Sequence, residues 1–227
     1  MYFFNGGGVA VGDYNNDGWD DLFFTSNMSS NKLFLNQGGE GKLLQFKDVT
    51  EAAGLKGQAG WTSGASAVDI NNDGMLDIYV SQLGDFKTIK GKNQFYICQG
   101  IENGIPIFED KAEELGLDFV KFSTQAAFFD YDLDGDLDMY QMNHSVHHNG
   151  TFGQRQTFSD IHPTSGDKLL KNENGKFIDV SQEAGIYSTA IGYGLGIVTG
   201  DVNLDGCLLY TSPSPRDQRG SRMPSSA

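Results

Sequence analysis

The sequence predicts an all-β fold, a partial β-propeller of about three and a half blades with acidic loops between its strands. Three observations support this prediction. A nine-residue acidic pattern occurs three times and starts a fourth time, a second pattern containing Phe recurs between its copies, and short runs rich in Val, Ala, Phe and Tyr flank each acidic loop. Each unit is therefore predicted to form a small four-stranded sheet, which is the repeating blade of a propeller. A solenoid is the alternative architecture, although its repeats are usually shorter.

The acidic pattern reads D-x-[N/D]-x-D-G-x-x-D, with positions numbered 1 to 9. Complete copies begin at Asp13, Asp69 and Asp130, and a copy without the final aspartate begins at Asp201. Successive copies start 56, 61 and 71 residues apart. A constant pattern at a slowly growing distance is typical of a repeat array in which insertions accumulate in one part of each unit.

The second pattern reads F-x-D followed by a glycine six residues after the aspartate. It begins at Phe46, Phe108 and Phe177 and precedes the next acidic loop by 23, 22 and 24 residues. The segment after Phe46 predicts one helical turn, which Thr50 begins and Gly54 ends. Apolar runs predict a third strand in "NKLFLNQ", "NQFYICQ" and "DKLLKNE", and a fourth strand around each Phe. The repeats are therefore predicted at about 6–55, 62–117 and 123–186, with a truncated copy at 192–206.

Oxygen-bearing side chains occupy positions 1, 3, 5 and 9, and glycine at position 6 allows the turn that directs them inward. The backbone carbonyl at position 7 is a further candidate ligand. Oxygen ligands without His or Cys favour calcium over zinc or copper. The candidate metal ligands are Asp13, Asn15, Asp17, Trp19 and Asp21; Asp69, Asn71, Asp73, Met75 and Asp77; Asp130, Asp132, Asp134, Asp136 and Asp138; and Asp201, Asn203 and Asp205.

The acidic loops differ from an EF-hand, which requires Glu at position 12 and a helix on each side. Position 12 is Phe24, Val80 and Gln141, and the flanking sequences resemble strands. The loops are therefore predicted to bind Ca²⁺ in a β setting. A set of Asx turns without metal is the alternative, and it would leave closely spaced carboxylates without a counter-charge.

The composition limits the classes of partner. The formal net charge of −14, concentrated in the acidic loops, disfavours a nucleic-acid partner. No apolar run reaches the ~18 residues of a membrane-spanning helix, so membrane insertion is not expected. Cys98 is the single cysteine before residue 207, so no intrachain disulfide is expected in residues 1–206.

The last 21 residues differ from the rest, because they contain three of the five prolines. A back-translation of residues 207–217 resembles a transposase end and an adapter used in DNA sequencing. We therefore interpret 207–227 as disordered adapter read-through and 1–206 as the propeller fragment. A natural Ser/Pro/Arg-rich disordered tail is the alternative. The adapter interpretation explains the truncated fourth copy, and we expect further sequence beyond it and a signal peptide upstream of Met1.

All four histidines lie in an insertion at residues 143–163. A polar surface loop that contacts a partner is the favoured interpretation, and a transition-metal site is the alternative. An enzyme acting on glycans would need catalytic groups outside the acidic loops, and this insertion is the one candidate region. Its candidates are His144, His147, His148 and Arg155.

The stretch "GVAVGDYNNDGWDDLFF" and its copies resemble the FG-GAP or VCBS-type repeat of integrin α-subunit propellers and many bacterial secreted proteins. The stretches "FKDVTEAAGL" and "LLKNENGKFIDVSQEAGI" more narrowly resemble the cartilage-acidic-protein-like group, whose members often end in an ASPIC/UnbV domain. The resemblance covers nearly all of residues 1–206 and implies a calcium-stabilised propeller. Three complete units are too few to close a ring, so missing blades, and an ASPIC/UnbV domain, are expected in the full-length chain.

Together these observations predict a calcium-binding, non-catalytic β-propeller that acts as an interaction, adhesion or scaffold module for an unidentified protein or glycan ligand. The expected location is extracellular, at the cell surface or periplasmic, because extracellular calcium fills weak sites of about 10⁻⁴ to 10⁻³ M. A calcium-dependent polysaccharide lyase or hydrolase on the same scaffold is the alternative. A third interpretation is a purely structural array that positions a C-terminal domain.

Overall fold

The computed structural model describes residues 7–39, 44–55, 60–84, 89–145, 161–190, 192, 194–200 and 209–211. These residues form fourteen strands and one four-residue helix, so the all-β prediction is confirmed. No helix within these ranges has the length and apolar composition needed to cross a membrane. The elements are β1 (Val9–Gly12), β2 (Asp21–Phe24), β3 (Lys32–Asn36), β4 (Phe46–Asp48), β5 (Trp61–Val68), β6 (Asp77–Leu83), β7 (Gln94–Glu102), β8 (Ile105–Asp110), α1 (Ala112–Leu115), β9 (Ser123–Phe129), β10 (Asp138–Asn143), β11 (Lys168–Asn172), β12 (Phe177–Asp179), β13 (Val198–Gly200) and β14 (Leu209–Thr211).

The first twelve strands form three four-stranded sheets, each in chain order and antiparallel throughout. Sheet 1 contains β1–β4, sheet 2 contains β5–β8 and sheet 3 contains β9–β12. The strands β13 and β14 form a separate two-stranded sheet. Each predicted complete repeat therefore forms one sheet, with its third and fourth strands where the apolar runs predicted them. Ring closure and the number of blades stay predictions.

The first strands of the three sheets lie side by side, with β1 next to β5 and β5 next to β9. The hydroxyls of Ser63 and Ser66 in β5 each donate at 2.6 Å to a carbonyl 60 residues later, those of Ser123 and Ala126 in β9. The constant offset shows that β5 and β9 run in the same direction. Gly64 permits this close approach, because a Cβ there would lie 2.2 Å from the carbonyl oxygen of Thr124. The loops that follow these two strands therefore leave at the same end.

Apolar side chains fill the space between neighbouring sheets, because each pair of facing sheets buries these side chains away from water. The core between sheets 1 and 2 includes Phe23, Leu33, Ile78, Tyr96 and Phe108. The core between sheets 2 and 3 includes Tyr79, Phe95, Met139 and Leu170. The turn after β4 adds Val49, Ala53 and Leu55 to the first core, so this turn belongs to the contact between sheets.

The turn after β4 begins at an aspartate rather than at the predicted Thr50. One carboxylate oxygen of Asp48 accepts the N–H of Thr50 at 3.0 Å and its hydroxyl at 2.6 Å. The Thr50 oxygen accepts the N–H of Leu33 in β3 at 3.0 Å, so it bonds to the sheet and does not cap the turn. The predicted end at Gly54 is confirmed by its φ of 79°, a left-handed conformation that glycine adopts without steric penalty.

Strand β14 lies within segment 207–227, for which we expected disorder. Gly200 pairs with Leu209 as Gly12 pairs with Asp21 in sheet 1, and eight residues separate the two partners in both cases. The structure therefore differs from the expectation at these three residues. Tyr and Thr are residue types with a high strand propensity, which gives a physical reason for the pairing.

Candidate metal-binding loops

Three acidic loops connect the first and second strands of the three sheets. Loop 1 is residues 13–21, loop 2 is residues 69–77 and loop 3 is residues 130–138. The residue before each loop pairs with position 9 of that loop: Gly12 with Asp21, Val68 with Asp77, and Phe129 with Asp138. The sequence repeat is therefore also a repeat of strand register, and equal loop positions are equivalent in space.

The aspartate at position 1 closes each loop. In loop 1 the Asp13 carboxylate accepts the N–H of Asp17 at 3.0 Å and that of Gly18 at 2.7 Å. The equivalent distances are 3.0 and 2.8 Å for Asp69, and 3.2 and 3.0 Å for Asp130. Both carboxylate oxygens thus satisfy backbone donors, which is the bonding of an extended Asx turn.

Two left-handed residues shape each loop. The glycine at position 6 has φ of 90°, 81° and 96° in Gly18, Gly74 and Gly135, as its predicted role in the turn requires. Position 4 is also left-handed, with φ of 55°, 56° and 61° in Asn16, Asn72 and Leu133. Asparagine tolerates this region better than leucine does, so loop 3 holds backbone strain that loops 1 and 2 avoid.

The amide at position 3 supports the carboxylate at position 5 in loops 1 and 2. The Nδ2 of Asn15 donates to Asp17 at 2.9 Å, and the Nδ2 of Asn71 donates to Asp73 at 2.8 Å. The position-3 amide oxygen also accepts the N–H of position 5, at 3.3 and 3.2 Å. Side-chain and backbone atoms of these two positions are therefore held together at the exposed rim of each loop.

Loop 3 replaces that amide with a carboxylate and brings a lysine to it. Position 3 is Asp132, which forms an ion pair with Lys171 of β11, and the same ammonium lies 3.5 Å from Asp134 at position 5. The equivalent strand positions in sheets 1 and 2 are the residues just before Asn36 and Cys98, namely Leu35 and Ile97. An ammonium thus enters loop 3 from a strand position that is aliphatic in the other two sheets.

The aspartate at position 9 is fully buried in all three loops, with 0% exposure. In sheet 1, Asp21 accepts the N–H of Tyr14 in the loop at 3.0 Å and the N–H of Asn36 in β3 at 2.8 Å. The same pair of bonds joins Asp77 to Ile70 and Cys98, and Asp138 to Tyr131 and Asn172. Position 9 therefore ties the loop to the third strand, a structural role that the predicted ligand role did not include.

Burial makes the position-9 carboxylates hard to ionise. It raises the pKa of Asp21 and that of Asp77 to about 6, although two backbone N–H groups in each case act in the opposite direction. The acids at positions 1 and 5 of the same loop raise both pKa values further. Burial is also the main cause of the raised pKa of Asp138. A cation beside each loop would offset this repulsion and favour the ionised carboxylates.

The oxygens of loop 3 lie close enough together to share one cation. Asp130, Asp132 and Asp138 each present an oxygen, and these atoms all lie within 4.8 Å of one another. A carboxylate oxygen of Asp136 is also buried without a hydrogen-bond partner among the described residues. The donor set is oxygen alone, the chemistry that a hard cation such as calcium prefers. The residues of the loop therefore fit the predicted ion.

The side chains at position 7 pack away from the ligand oxygens in loops 1 and 2. The Trp19 indole lies against Gly38, where an added Cβ would lie 2.7 Å from its Nε1. Met75 packs on the core between sheets 1 and 2, with its sulfur 3.8 Å from the Cys98 thiol. Only the backbone carbonyls of Trp19 and Met75 are therefore suited to bind a metal, which is the role that the sequence predicted for position 7.

Loop 1 also contacts loop 2 directly. The Nδ2 of Asn16 donates to the carbonyl of Gly74 at 3.1 Å, and the Nδ2 of Asn15 donates to the carbonyl of Gly104 at 3.3 Å. Both acceptors belong to sheet 2 or its loop. The loops at this end are therefore neighbours in space as well as in sequence pattern.

The remaining predicted residues fall in two groups. Asp201, Asn203, Asp205, His147, His148 and Arg155 lie outside the described residues. His144 and His162 are described: the Nδ1 of His144 lies 2.7 Å from the carbonyl of Ser145, and the Nδ1 of His162 lies 3.1 Å from the backbone nitrogen of Ser165. These two imidazoles therefore bond to neighbouring backbone.

Residues 13–80 match the family model described as FG-GAP-like repeat. The match begins at the first residue of loop 1 and ends within β6, so it includes loops 1 and 2 and most of sheet 1. No curated protein is similar enough in sequence to count as a match. The chain thus carries an FG-GAP-like repeat, and the resemblance to the FG-GAP repeat is confirmed. The resemblance to the cartilage-acidic-protein-like group stays a prediction.

Proposed function

We propose that this chain is a calcium-binding segment of a β-propeller that acts outside the cytoplasm as a non-catalytic interaction module. The observation that carries the proposal is the threefold repetition of one oxygen-lined loop, with the same register and the same carboxylate-to-backbone bonds in three sheets. Aspartates placed together at this density favour a bound cation. Calcium takes six to eight oxygen ligands, so loop residues at positions 1, 3, 5, 7 and 9 supply the kind of set it needs.

The proposed calcium stabilises the loops and takes no part in chemistry. Its proposed side-chain ligands otherwise bond within the loops, as Asp13 does, or to the third strand of the sheet, as Asp21 does. Export follows from the weak affinity expected of such loops, since calcium at millimolar concentration is found outside the cytoplasm. A protein or glycan ligand would contact the surface of the array, and the insertion at 143–163 is the first region to test. An ASPIC/UnbV domain in the full-length chain, suggested by the cartilage-acidic-protein-like resemblance, also belongs to this proposal.

The open face of sheet 1 supports further blades in the full-length protein. Val9, Val11 and Phe24 are 49%, 53% and 41% exposed. Their equivalents in sheet 2 pack on the core that sheet 2 shares with sheet 1: Ala65, Ala67 and Val80. We therefore propose that another repeat of the same type covers sheet 1 as sheet 1 covers sheet 2. A calcium-dependent glycan lyase or hydrolase stays the alternative function, and loss of activity on acidic glycans in Arg155→Ala would favour it.

A calcium titration of thermal stability tests the proposal. We expect the melting temperature to rise by roughly 3–10 °C between chelator and millimolar calcium, because the ion binds only the folded loops. The variant Asp17→Ala/Asp73→Ala/Asp134→Ala should lose this rise. The control Glu51→Ala/Glu113→Ala/Glu183→Ala removes the same charge from the turns that follow the fourth strands and should keep it. A folded wild-type protein with no calcium-dependent shift would overturn the calcium assignment and the export argument.

A further inference from the structure

Lys171 brings a positive charge to the carboxylates of loop 3. Its ammonium pairs with Asp132 at position 3 and lies 3.5 Å from Asp134 at position 5. The side chain is 27% exposed, so the pair is shielded in part from water. Loop 3 therefore already contains a cation at two of the positions assigned to calcium.

Among the described residues, no ammonium forms an ion pair with a carboxylate of loop 1 or loop 2, although Lys47 lines the same cavity as Asp17. The residue that takes the place of Lys171 is Leu35 in sheet 1 and Ile97 in sheet 2. There the carboxylate at position 5 accepts neutral N–H groups, from the side-chain amide of Asn15 or Asn71 and from the backbone of position 7, at 3.0 Å in loop 1 and 2.8 Å in loop 2. A neutral amide leaves the negative charge of the carboxylate in place for an incoming ion, whereas an ammonium neutralises it.

Calcium and the ammonium require the same oxygens. An ammonium is a compact point charge with three donors, and it satisfies two carboxylates at once. Calcium in loop 3 would need oxygens of Asp132 and Asp134, so it would have to displace Lys171 or share its partners. Without Lys171, the carboxylate of Asp132, which replaces the amide of the other loops, would raise the affinity of loop 3 for calcium. The ammonium of Lys171 offsets this increase in affinity.

We propose that Lys171 is a built-in cation of loop 3, which keeps this loop folded without metal and lowers its affinity for calcium. This inference rests on the proposed calcium binding of the loops. Loops 1 and 2 depend on the ion for their counter-charge. Loop 3 has a counter-charge from its own sheet, so calcium occupies it last.

The three glycines at position 6 allow a site-resolved test. The N–H groups of Gly18, Gly74 and Gly135 each donate to the position-1 carboxylate of their own loop, so their amide NMR signals report the three loops separately. The full chain, labelled with ¹⁵N, is titrated with calcium chloride. The variants are Lys171→Leu, the double variant Asp132→Asn/Lys171→Leu, and the control Lys168→Leu. The control removes the same charge from β11, where Lys168 pairs with Asp179 outside the loop.

We expect Gly135 to titrate at higher calcium than Gly18 and Gly74 in the wild type. Lys171→Leu should strengthen binding at Gly135 roughly tenfold or more, while Lys168→Leu changes it less than about twofold. The double variant gives loop 3 the residue types of loop 1 at position 3 and at the strand position of Lys171, so it guards against misfolding of the single variant. Its Gly135 should titrate within about threefold of Gly18.

The results separate this inference from the proposed function. If Gly18 and Gly74 titrate but neither variant strengthens binding at Gly135, the role of Lys171 is refuted and calcium binding stands. If Gly135 titrates only after Lys171 is replaced while Gly18 and Gly74 never respond, the role of Lys171 stands and calcium binding by loops 1 and 2 is refuted. If no glycine responds in any folded variant, both are refuted.

Discussion

At the scale of single residues, the aspartates at positions 1, 5 and 9 of each loop divide into two kinds. Those at positions 1 and 5 lie near the solvent and accept backbone N–H groups of their own loop. The aspartate at position 9 is buried and bonds to the third strand of its sheet, as Asp77 does to Cys98 at 2.8 Å. One acidic pattern thus combines a rim that carries the proposed metal ligands with a structural anchor.

This division predicts unequal effects of the same substitution in one loop. Asp77→Asn should lower the free energy of unfolding in chelator by about 1–3 kcal/mol, because an amide accepts through one oxygen and leaves a buried N–H unsatisfied. Asp73→Asn, at the exposed position 5, should lower it by less than about 0.5 kcal/mol. Urea unfolding measures both values. Equal losses would show that the buried hydrogen bonds of Asp77 add no more to the free energy of unfolding than the exposed bonds of Asp73 do.

The raised pKa values predict an unusual dependence of stability on pH. Asp21 and Asp77 have folded-state pKa values of about 6, above the ordinary value of 3.8, so the folded protein binds protons more tightly than the unfolded chain between these limits. Their contribution to stability is therefore greatest below about pH 4 and declines as the pH rises to about 6. In chelator, the melting temperature should be higher at pH 5 than at pH 7.

Two comparisons make this pH test specific. Burial lowers the pKa of His144, which acts in the opposite direction over the same range, but it is one group against three buried aspartates. The pKa of Asp48 is lowered to about 2, mainly by the hydroxyl of Thr50, so its contribution to stability is lost only below about pH 4. Saturating calcium should remove the advantage of pH 5. A melting temperature that falls from pH 7 to pH 5 in chelator would contradict the argument.

The sequence was sufficient to predict which residues the three loops bring together, because spacing and residue type identify them, and the binding of calcium by these residues stays a prediction. It did not reveal the anchoring role of position 9, since the donor on the third strand lies 15 residues away for Asp21 and 21 for Asp77, in sequences without a shared motif. Lys171 was missed for the same reason, because it is 39 residues from Asp132. Contacts of this kind depend on strand register, which only the folded sheet defines.

At the scale of elements, the F-x-D pattern gives each sheet its closing turn. Asp48 accepts two bonds from Thr50, and Asp179 accepts the N–H of Ser181 at 3.0 Å in the equivalent place of sheet 3. In sheet 2, Asp110 accepts the N–H of Ala112 at 3.1 Å. The aspartate of the pattern, to which the sequence alone assigns no role, is therefore the residue that begins the turn.

Removal of this aspartate should loosen the contact between sheets. Asp48→Ala should lower the free energy of unfolding by about 1–2 kcal/mol, because it removes the acceptor for the N–H and hydroxyl of Thr50. Glu51→Ala, in the same turn but exposed, should change it by less than about 0.5 kcal/mol. Chemical unfolding followed by circular dichroism measures the difference. Indistinguishable midpoints for the two variants would refute a capping role for Asp48.

At the scale of the whole molecule, the face of sheet 1 that carries Val9, Val11 and Phe24 is apolar and has no neighbour among the described residues. The repeat pattern predicted the three sheets because each copy contains its own strands and loop. It did not predict which residues stay uncovered, because that depends on how many sheets stand side by side. An apolar face of this kind favours association.

The isolated chain should therefore self-associate through sheet 1. The variant Val11→Lys/Phe24→Lys should shift it toward monomer, because lysine opposes packing of apolar faces. Val120→Lys, at a residue that is 50% exposed elsewhere on the surface, is the control and should leave association unchanged. Sedimentation velocity distinguishes the species. A wild-type chain that is monomeric at high concentration would contradict this prediction.

The turn that follows each sheet has a consequence for how such arrays evolve. Ala53 accepts the N–H of Phe108 in β8 at 2.9 Å, and Leu55 lies in the core between sheets 1 and 2. A gene duplication that stopped after β4 would copy a sheet without the turn that packs against the next sheet. A duplication that ran to Leu55, or to Leu117 in the next copy, would include this turn. The inherited module therefore extends past its last strand, and new copies join intact arrays when their boundaries fall after these leucines.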